Sequence, residues 1–252
     1  MFTEERHQQI LSYLNKYHRA SVPELSQTFQ VSESTIRRDL SELEQKEKLR
    51  RTHGGAVCLD FVRMEPTVKE KQTTNLSEKE RIAKTASEWI KEKETILLDS
   101  GTTTLQLAKQ LHSLNLTIVT NSVSVLTELQ DAQNIELLST GGTVRPQIGA
   151  MVGPYAEGFI RRIKVDKLFL GMNGVDGRNG LSTPNVLEAQ MKKEMISAAN
   201  KVILLCDHSK IGKITLHQVA SLSEIDMIIT DKSAPLSFLE DCEQLGIDVI
   251  TV

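Results

Sequence analysis

The sequence predicts a two-part chain: a short front of three helices and a basic hairpin, then a larger α/β domain with a mostly parallel sheet. Three observations carry this expectation. Helical periodicity fills residues 1–58 and ends in KLRRTHGGAV, a basic stretch without acids. The pattern lapses over 59–77, where Pro66, Thr67, Thr73, Thr74 and Asn75 mix with charged residues, as in a linker or a strap over the next domain. Beyond it, apolar runs alternate with amphipathic segments over 78–252, the pattern of parallel strands with helices on both faces.

Within the front, Ile10, Leu11 and Leu14 share one face of a helix over about Thr3 to Tyr17. Ser21-Val22-Pro23-Glu24 has the form of a capping box, with Pro23 in the first turn where its missing N–H is harmless. That second helix runs to about Phe29. Ser32 is suited to N-cap a third, in which Ile36, Leu40 and Leu43 face inward. Glu33, Ser34, Thr35, Arg37 and Arg38 then point elsewhere. Residues 48–57 read as a small hairpin ending in Gly54-Gly55. Three helices and a basic hairpin describe a winged helix-turn-helix.

Charge and composition narrow the partners. The 252 residues carry a formal net charge of −3, so no global basic field exists. Residues 1–58 nevertheless hold nine Lys/Arg against eight Asp/Glu. A third helix of this kind fits the major groove, with its first turn at the base edges. Ser32, Ser34 and Thr35 are short hydrogen-bonding groups there, and Arg37 and Arg38 reach phosphate or a guanine edge. Lys48, Arg50, Arg51 and His53, with Gly54 and Gly55, form a wing for the adjacent backbone. The bland alternative is a solvated face, with Arg37 and Asp39 as ordinary surface residues and Arg38 paired to Glu42. Aromatic content of 4% gives little support to a single-strand stacking binder. Cys58, Cys206 and Cys242 share no ligand spacing and read as reduced thiols of a cytosolic protein. The start MFTEERHQQ does not read as a signal peptide, and no apolar run is long enough to span a bilayer.

In the rear part, the runs Thr95–Asp99, Thr117–Thr120, Ile135–Ser139, Lys167–Gly171, Val202–Asp207, Met227–Thr230 and Val249–Val252 are expected strands. Glu78–Ile90, Thr104–Leu111 and Glu188–Ala199 are expected helices. Ligands of open α/β sheets sit beyond the carboxyl ends of the strands. There the first run gives Asp99, Ser100, Gly101, Thr102, Thr103 and Thr104, a hydroxyl-rich turn opening a helix and suited to an anion. The second gives Asn121 and Ser122, and the third Gly141 and Gly142 with Arg145 just beyond. The fourth gives Gly174 and Asp176. Lys192 lies on a later helix, and Lys210 follows the next strand. No P-loop lysine and no G-x-G-x-x-G motif follows any strand, which disfavours nucleotides. A small phosphorylated sugar suits this mixture of anion donors, amides and carboxylates. His208 and His217 read as structural or surface residues, and no catalytic or metal-binding residues are assigned.

The stretch FQVSESTIRRDLSELEQKEKLRRTHGGA resembles the N-terminal signature of the DeoR/GlpR family of bacterial transcriptional regulators. DSGTTT, TNS, STGGT, GVD, MKKEMI around Lys192, and DHSKIG resemble the same family's effector domain. That domain is similar in fold to ribose-5-phosphate isomerase and to amino-sugar phosphate isomerases. The resemblance implies that the DSGTTT loop and Gly141-Gly142 grip phosphate. It also implies that Asp176 is the family's GVD aspartate and that Lys192 matches a lysine shared with the isomerases. GLSTPNVLEAQ, residues 180–190, resembles the subgroup that responds to galactosamine-type sugars. The chain departs from the family at Glu47, where many members have Gly in the turn before the wing.

The function expected is a repressor of a carbohydrate uptake or catabolic operon, controlled by a phosphorylated sugar at the strand ends. It would use no cofactor and no membrane, and would bind double-stranded operator DNA as a homodimer or homotetramer. It would be cytoplasmic, and nucleoid-associated when on DNA. The enzymatic alternative is a sugar-phosphate isomerase tethered to a DNA-binding module, with Asp99, Asp176, Lys192 and Glu188 moving protons. A third class is an interaction module whose N-terminal helices bind protein.

Overall fold

The computed structural model describes residues 3–17, 19–46, 48–52, 54–58 and 67–252. Glu47, His53 and the linker segment 59–66 lie outside the described residues. The chain divides into two compact units, Met1–Glu65 and Pro66–Val252.

The first unit contains α1 (Thr3–Tyr17), β1 (Arg19–Ser21), α2 (Val22–Phe29), α3 (Glu33–Gln45), β2 (Leu49–Thr52) and β3 (Gly55–Cys58). Both expected caps form. Ser21 and Glu24 make a reciprocal capping box, and the Ser32 hydroxyl accepts from the Thr35 amide at 3.3 Å. Gln30 turns the chain through the left-handed region, φ 53°, and so separates α2 from α3. Ile10, Leu14, Leu25, Ile36 and Leu40 are fully buried in one small core. The three strands pair antiparallel in the order β1-β3-β2. β1 is too short to leave a periodic signal, and the sequence reading lacks it. The Gly pair does not end the hairpin as expected. Gly54 sits in its turn, and Gly55 opens the central strand, β3.

The second unit is built on a seven-stranded, wholly parallel sheet. Its strands are β4 (Thr95–Leu98), β5 (Leu116–Thr120), β6 (Ile135–Ser139), β9 (Val165–Gly171), β12 (Ala199–Leu205), β14 (Met227–Thr230) and β15 (Asp248–Thr251). All seven expected runs are here. Two antiparallel additions flank them: the hairpin β7 (Thr143–Arg145) with β8 (Ala150–Val152), and a small sheet of β10 (Gly174–Asp176), β11 (Gly180–Thr183) and β13 (His217–Ala220). Residues 67–77, read from sequence as linker or strap, form α4 (Val68–Thr73) and the start of α5 (Leu76–Ser87).

Alternation along each central strand feeds two cores, as period 2 requires. Leu97, Leu168, Leu170, Val202 and Leu204 face one, closed by α8 (Pro154–Ile160), α9 (Val186–Ala198) and α10 (Leu236–Gln244). Ile96, Leu98, Phe169, Ile203 and Leu205 face the other, closed by α5, α6 (Thr102–Ala108) and α7 (Val123–Leu129). Cys206 and Cys242 are buried free thiols, and burial pushes both pKa values up, that of Cys242 to about 11. The strand order is β15-β14-β12-β9-β4-β5-β6. From β4 the chain builds outward through β5 and β6, then returns to β9 on β4's other side and builds the opposite way. The reversal lies between β4 and β9, and a crevice opens at such a switch point.

One charged contact in the first unit overturns a reading from sequence. Asp39 is not a surface residue but is buried. Its carboxylate accepts from Arg6 Nε at 2.6 Å and Nη2 at 2.9 Å, and lies 3.2 Å from His7 Nε2. This ties α1 to the middle of α3. Removing one member of such a buried pair strands the other, at a cost of about 3–5 kcal/mol. Asp39→Ala should therefore lower the unfolding free energy of the first unit, read from a urea titration, by that order. An exposed change, Arg38→Ala, should move it by no more than about 0.5 kcal/mol.

Candidate functional site

Two surfaces collect the residues singled out from sequence. On the first unit, the start of α3 clusters three hydroxyls: the Ser32 oxygen lies 2.8 Å from both Ser34 Oγ and Thr35 Oγ1. Arg37 and Arg38 project from the same helix with side chains 52% and 82% exposed. Each is held by an acid one turn away, Glu33 and Glu42, at 3.2 Å. Such exposed pairs are worth about 0.3–0.5 kcal/mol. They orient the guanidiniums yet yield readily to a phosphate. Lys48 is exposed. Arg51, also exposed, donates Nη1 to Ser41 Oγ at 2.8 Å, and its amide donates to Glu44 Oε1 at 2.9 Å. The hairpin is thereby fixed to α3.

The glycines of this unit have structural work to do. A Cβ on Gly55 would collide with the Ala20 carbonyl oxygen across the β1–β3 pairing. The Gly54 carbonyl accepts from the Val22 amide at 2.8 Å. Both were assigned to DNA contact from sequence. Gly55 is instead a packing requirement, and Gly54 keeps an exposed place in the turn. The backbone of Arg50 lies in β2, and His53 lies outside the described residues.

On the second unit, the switch point holds a buried ion pair. Asp99 follows β4 and is 1% exposed, and Lys192, on α9, is 4% exposed. Lys192 Nζ donates to Asp99 Oδ2 at 2.5 Å and to the Gly171 carbonyl at 2.8 Å, and the Gly171 amide donates to the same Oδ2 at 3.2 Å. The other carboxylate oxygen, Asp99 Oδ1, is buried and has no hydrogen-bond partner. Gly101 and Gly171 bring the two backbones together. A Cβ built on either would lie 3.5 Å from the other's Cα. One strand over, Asn121 is buried, donates Nδ2 to the Met151 carbonyl at 3.2 Å, and leaves Oδ1 unpartnered.

Around this floor stand further polar groups. Arg145, on β7, pairs with the buried Glu188 of α9, whose Oε2 accepts from Thr183 Oγ1 at 3.2 Å. Gly141 and Gly142 follow β6 in left-handed conformations, φ 64° and 102°. At Gly142 a Cβ would also meet the Val152 carbonyl at 2.7 Å, so glycine is required there. Ser100 and Thr102 are half-buried at the mouth of α6, and Thr103 is buried.

Several expected ligands are engaged by the scaffold. The Thr104 hydroxyl lies 2.6 Å from the Asp99 carbonyl and 2.7 Å from that of Gly101, and so closes the turn. The Ser122 oxygen caps α7, accepting from the Val125 amide at 3.2 Å. Gly174 fits against the Lys213 carbonyl, where a Cβ would come to 2.5 Å. Asp176 Oδ1 accepts from the Arg178 amide and from both nitrogens of Asn179 within its own hairpin. Burial raises the pKa of Asp176, but these donors outweigh it and hold the group below the ordinary carboxylate range.

Beyond β12, Asp207 is buried and accepts from Asn75 Nδ2 at 2.7 Å and from the Ser209 amide at 3.0 Å. These bonds and Lys210 lower its pKa against the opposing effect of burial. His208, held at Nδ1 by Asp231 at 3.0 Å, is anchored as a structural reading would have it. Lys79 was not singled out from sequence, yet it is buried, and its Nζ donates to the carbonyls of Lys71 and Thr74. Burial lowers its pKa to about 8, and Lys210 and Lys71 add to this against the pull of Asp207. Its position on the inner side of an amphipathic helix was the available signal. Among the described residues no cluster of His, Cys, Asp and Glu could hold a metal ion, and no helix is long and apolar enough to cross a membrane.

Comparison with known proteins adds a family. A model of the DeoR-like helix-turn-helix domain matches residues 6–61, and one of the DeoR C terminal sensor domain matches residues 74–232. The chain is 41% identical to the HTH-type transcriptional regulator GlpR of Haloferax volcanii, covering 99% of this chain and 98% of the relative. It is 36% identical to the putative aga operon transcriptional repressor of Escherichia coli O157:H7, covering 99% and 94%. It is 34% identical to the L-fucose operon activator of Haemophilus influenzae, covering 98% of each. Among solved structures, a ribose 5-phosphate isomerase from Methanocaldococcus jannaschii is 20% identical over 55% of each chain, with a TM-score of 0.41.

The buried lysine sets a pH dependence. Its folded pKa of about 8 lies below the ordinary 10.5, so between these values the unfolded chain binds the proton that the folded chain has released. Stability contributed by this group rises with pH across that window. Lys79→Met removes the ammonium and its burial cost. The variant's advantage in urea unfolding should therefore be largest near pH 7.5 and shrink toward pH 10.5, by at most about 3 kcal/mol at roughly 1.4 kcal/mol per pKa unit. A pH-independent difference would contradict the assignment.

Proposed function

The chain belongs to the DeoR family of helix-turn-helix transcriptional regulators, and from that premise we propose that it represses a carbohydrate uptake or catabolic operon and releases its operator on binding a sugar phosphate. The observation that carries the ligand half is the Asp99–Lys192 pair at the β4/β9 switch point. It places a buried carboxylate oxygen without a donor where ligands of open α/β sheets sit. An unsatisfied buried acceptor costs about 1–3 kcal/mol, and a sugar hydroxyl is a donor that would relieve it. Asn121 Oδ1 is a second such acceptor. The amides opening α6 and the left-handed Gly141-Gly142 turn would supply donors for a phosphate, with Ser100 and Thr102 nearby in chain order and Lys210 beyond the end of β12.

The DNA half rests on the first turn of α3. Its hydroxyls and the two weakly held arginines form the face that the family's helix-turn-helix presents to duplex DNA. Two-fold pairing of such units would read a palindrome or repeat, which favours a homodimer or homotetramer acting in the cytoplasm. The isomerase reading from sequence is set aside. The full-length relatives are named as regulators, and Lys192 and Asp99 neutralise each other rather than standing ready as separate acid and base.

Gel-shift titration against DNA upstream of the chain's own gene tests the reading. Arg37→Ala and Arg38→Ala should each weaken binding and reduce the slope of log affinity against log salt by about one phosphate's worth. Slopes equal to the parent's would show that these side chains never meet the backbone. A millimolar sugar-phosphate panel should contain at least one member that lowers operator affinity roughly tenfold or more, an effect equivalent to about 1.4 kcal/mol of coupling.

A further inference from the structure

The short helix α4 is placed unlike any other element of the second unit. Its first amide, Val68 N, donates to the Gln147 carbonyl at 3.0 Å, in the turn between β7 and β8. That hairpin is pinned to the end of β5, where Met151 N donates to Asn121 O at 2.7 Å and Val123 N to Gly149 O at 2.9 Å. At the far end, Asn75 donates to Asp207 Oδ1, just beyond β12. Between β5 and β12 in the sheet lie only β4 and β9, the two strands of the switch point. Three strand spacings cover about 14 Å. Val68–Thr73 in helical conformation covers about 9 Å, and the extended Thr74, the Asn75 side chain and the β7–β8 turn make up the difference. α4 also touches α6, the helix that starts at Thr102 just beyond Asp99–Gly101.

What holds α4 down is polar. None of its residues is fully buried, and Val68 alone packs against the core, partly buried. Its C-terminal carbonyls carry the negative end of the helix dipole. Lys79 Nζ reaches back from α5 to the carbonyls of Lys71 and Thr74. Asn75 adopts a left-handed conformation, φ 50°, that directs its amide at Asp207. Two latches thus fix the junction of α4 and α5, with little apolar area behind them. Segments held this way open at low free-energy cost. Burial lowers the Lys79 pKa to about 8, with Lys210 and Lys71 adding to it and Asp207 opposing, so the latch holds its ammonium against a desolvation cost. In chain order α4 is also the first described element after the DNA-binding unit.

We propose that α4 is a strap across the carboxyl ends of β4 and β9, latched by Lys79 and Asn75, and that its release is the step by which ligand occupancy reaches the DNA-binding unit. The proposal rests on the sensor reading above for its ligand, but the latch itself does not depend on it. A phosphorylated ligand entering at the switch point arrives beneath α4 and beside the lysines that crowd the latch. Its negative charge draws the Lys79 ammonium off the two carbonyls, and α4 lifts.

Hydrogen exchange on the full chain, followed by mass spectrometry without any ligand, tests the latch. Lys79→Met, which keeps an unbranched apolar stem in the core, and Asn75→Ala should each speed exchange of residues 67–75 at least tenfold. Exchange in β4, β9 and β12 should not exceed the parent's rate, which separates unlatching from general destabilisation. The same variants, tested on the operator fragment, should bind at least fivefold more weakly than the parent. Unchanged exchange over 67–75 in both variants overturns the strap, and parent-like operator affinity in variants whose strap is open overturns its coupling to DNA. A parent protein that binds no upstream fragment would refute the regulatory reading instead, and the exchange measurement would still decide the strap.

Discussion

A lysine from α9 and an aspartate from the end of β4 meet under the β9 backbone, and the rest of the sensor unit is arranged around that meeting. Charges this deeply buried are tolerable only when paired and hydrogen-bonded. Lys192 satisfies one Asp99 oxygen and the Gly171 carbonyl together, and so joins the two halves of the sheet where their winding directions part. Two glycines, Gly101 and Gly171, keep the backbones close enough for this. The second Asp99 oxygen remains without a donor. The scaffold therefore requires the pair for its own closure and leaves one buried acceptor unpaired.

The DNA-binding unit uses charge in the opposite manner. The deep pair of Arg6 with Asp39 is structural and fastens α1 to α3. The arginines offered to solvent, Arg37 and Arg38, are held only by acids on their own helix. A strong interaction fixes where α3 sits, and weak ones leave its outer face exchangeable. A net charge of −3 for the whole chain is compatible with this, because binding by a local face does not need a global basic field.

Much of the architecture is legible in the sequence because it is written locally. The inner strands of the parallel sheet carry buried apolar runs, the edge strands β6 and β15 are only partly buried, and the helix starts carry caps such as Ser21-Glu24 and Ser32. The strand-end turns are legible for the same reason, since Gly, Ser and Thr cluster there. What the sequence does not distinguish is whether such a residue serves the ligand or the fold. Thr104, Ser122 and Gly55 all have the right chemistry for contact, yet each is engaged by a neighbour. Long-range polar pairs are not written in local pattern, so Asp39 reads as surface until the chain is folded. The small antiparallel sheets of the second unit are missed because three or four residues are too few to show alternation.

The central claim is that a sugar phosphate binds at the carboxyl ends of β4 and β9 over the Asp99–Lys192 pair. Backbone amide NMR of the full chain, titrated with sugar phosphates, tests it most directly. The account predicts, for at least one sugar phosphate, saturable shifts confined first to 99–104, 121–122, 141–142 and 171–174, and their disappearance in Lys192→Met that remains folded. Shifts centred on the amino ends of the strands, or a Lys192→Met titration identical to the parent's, would contradict it.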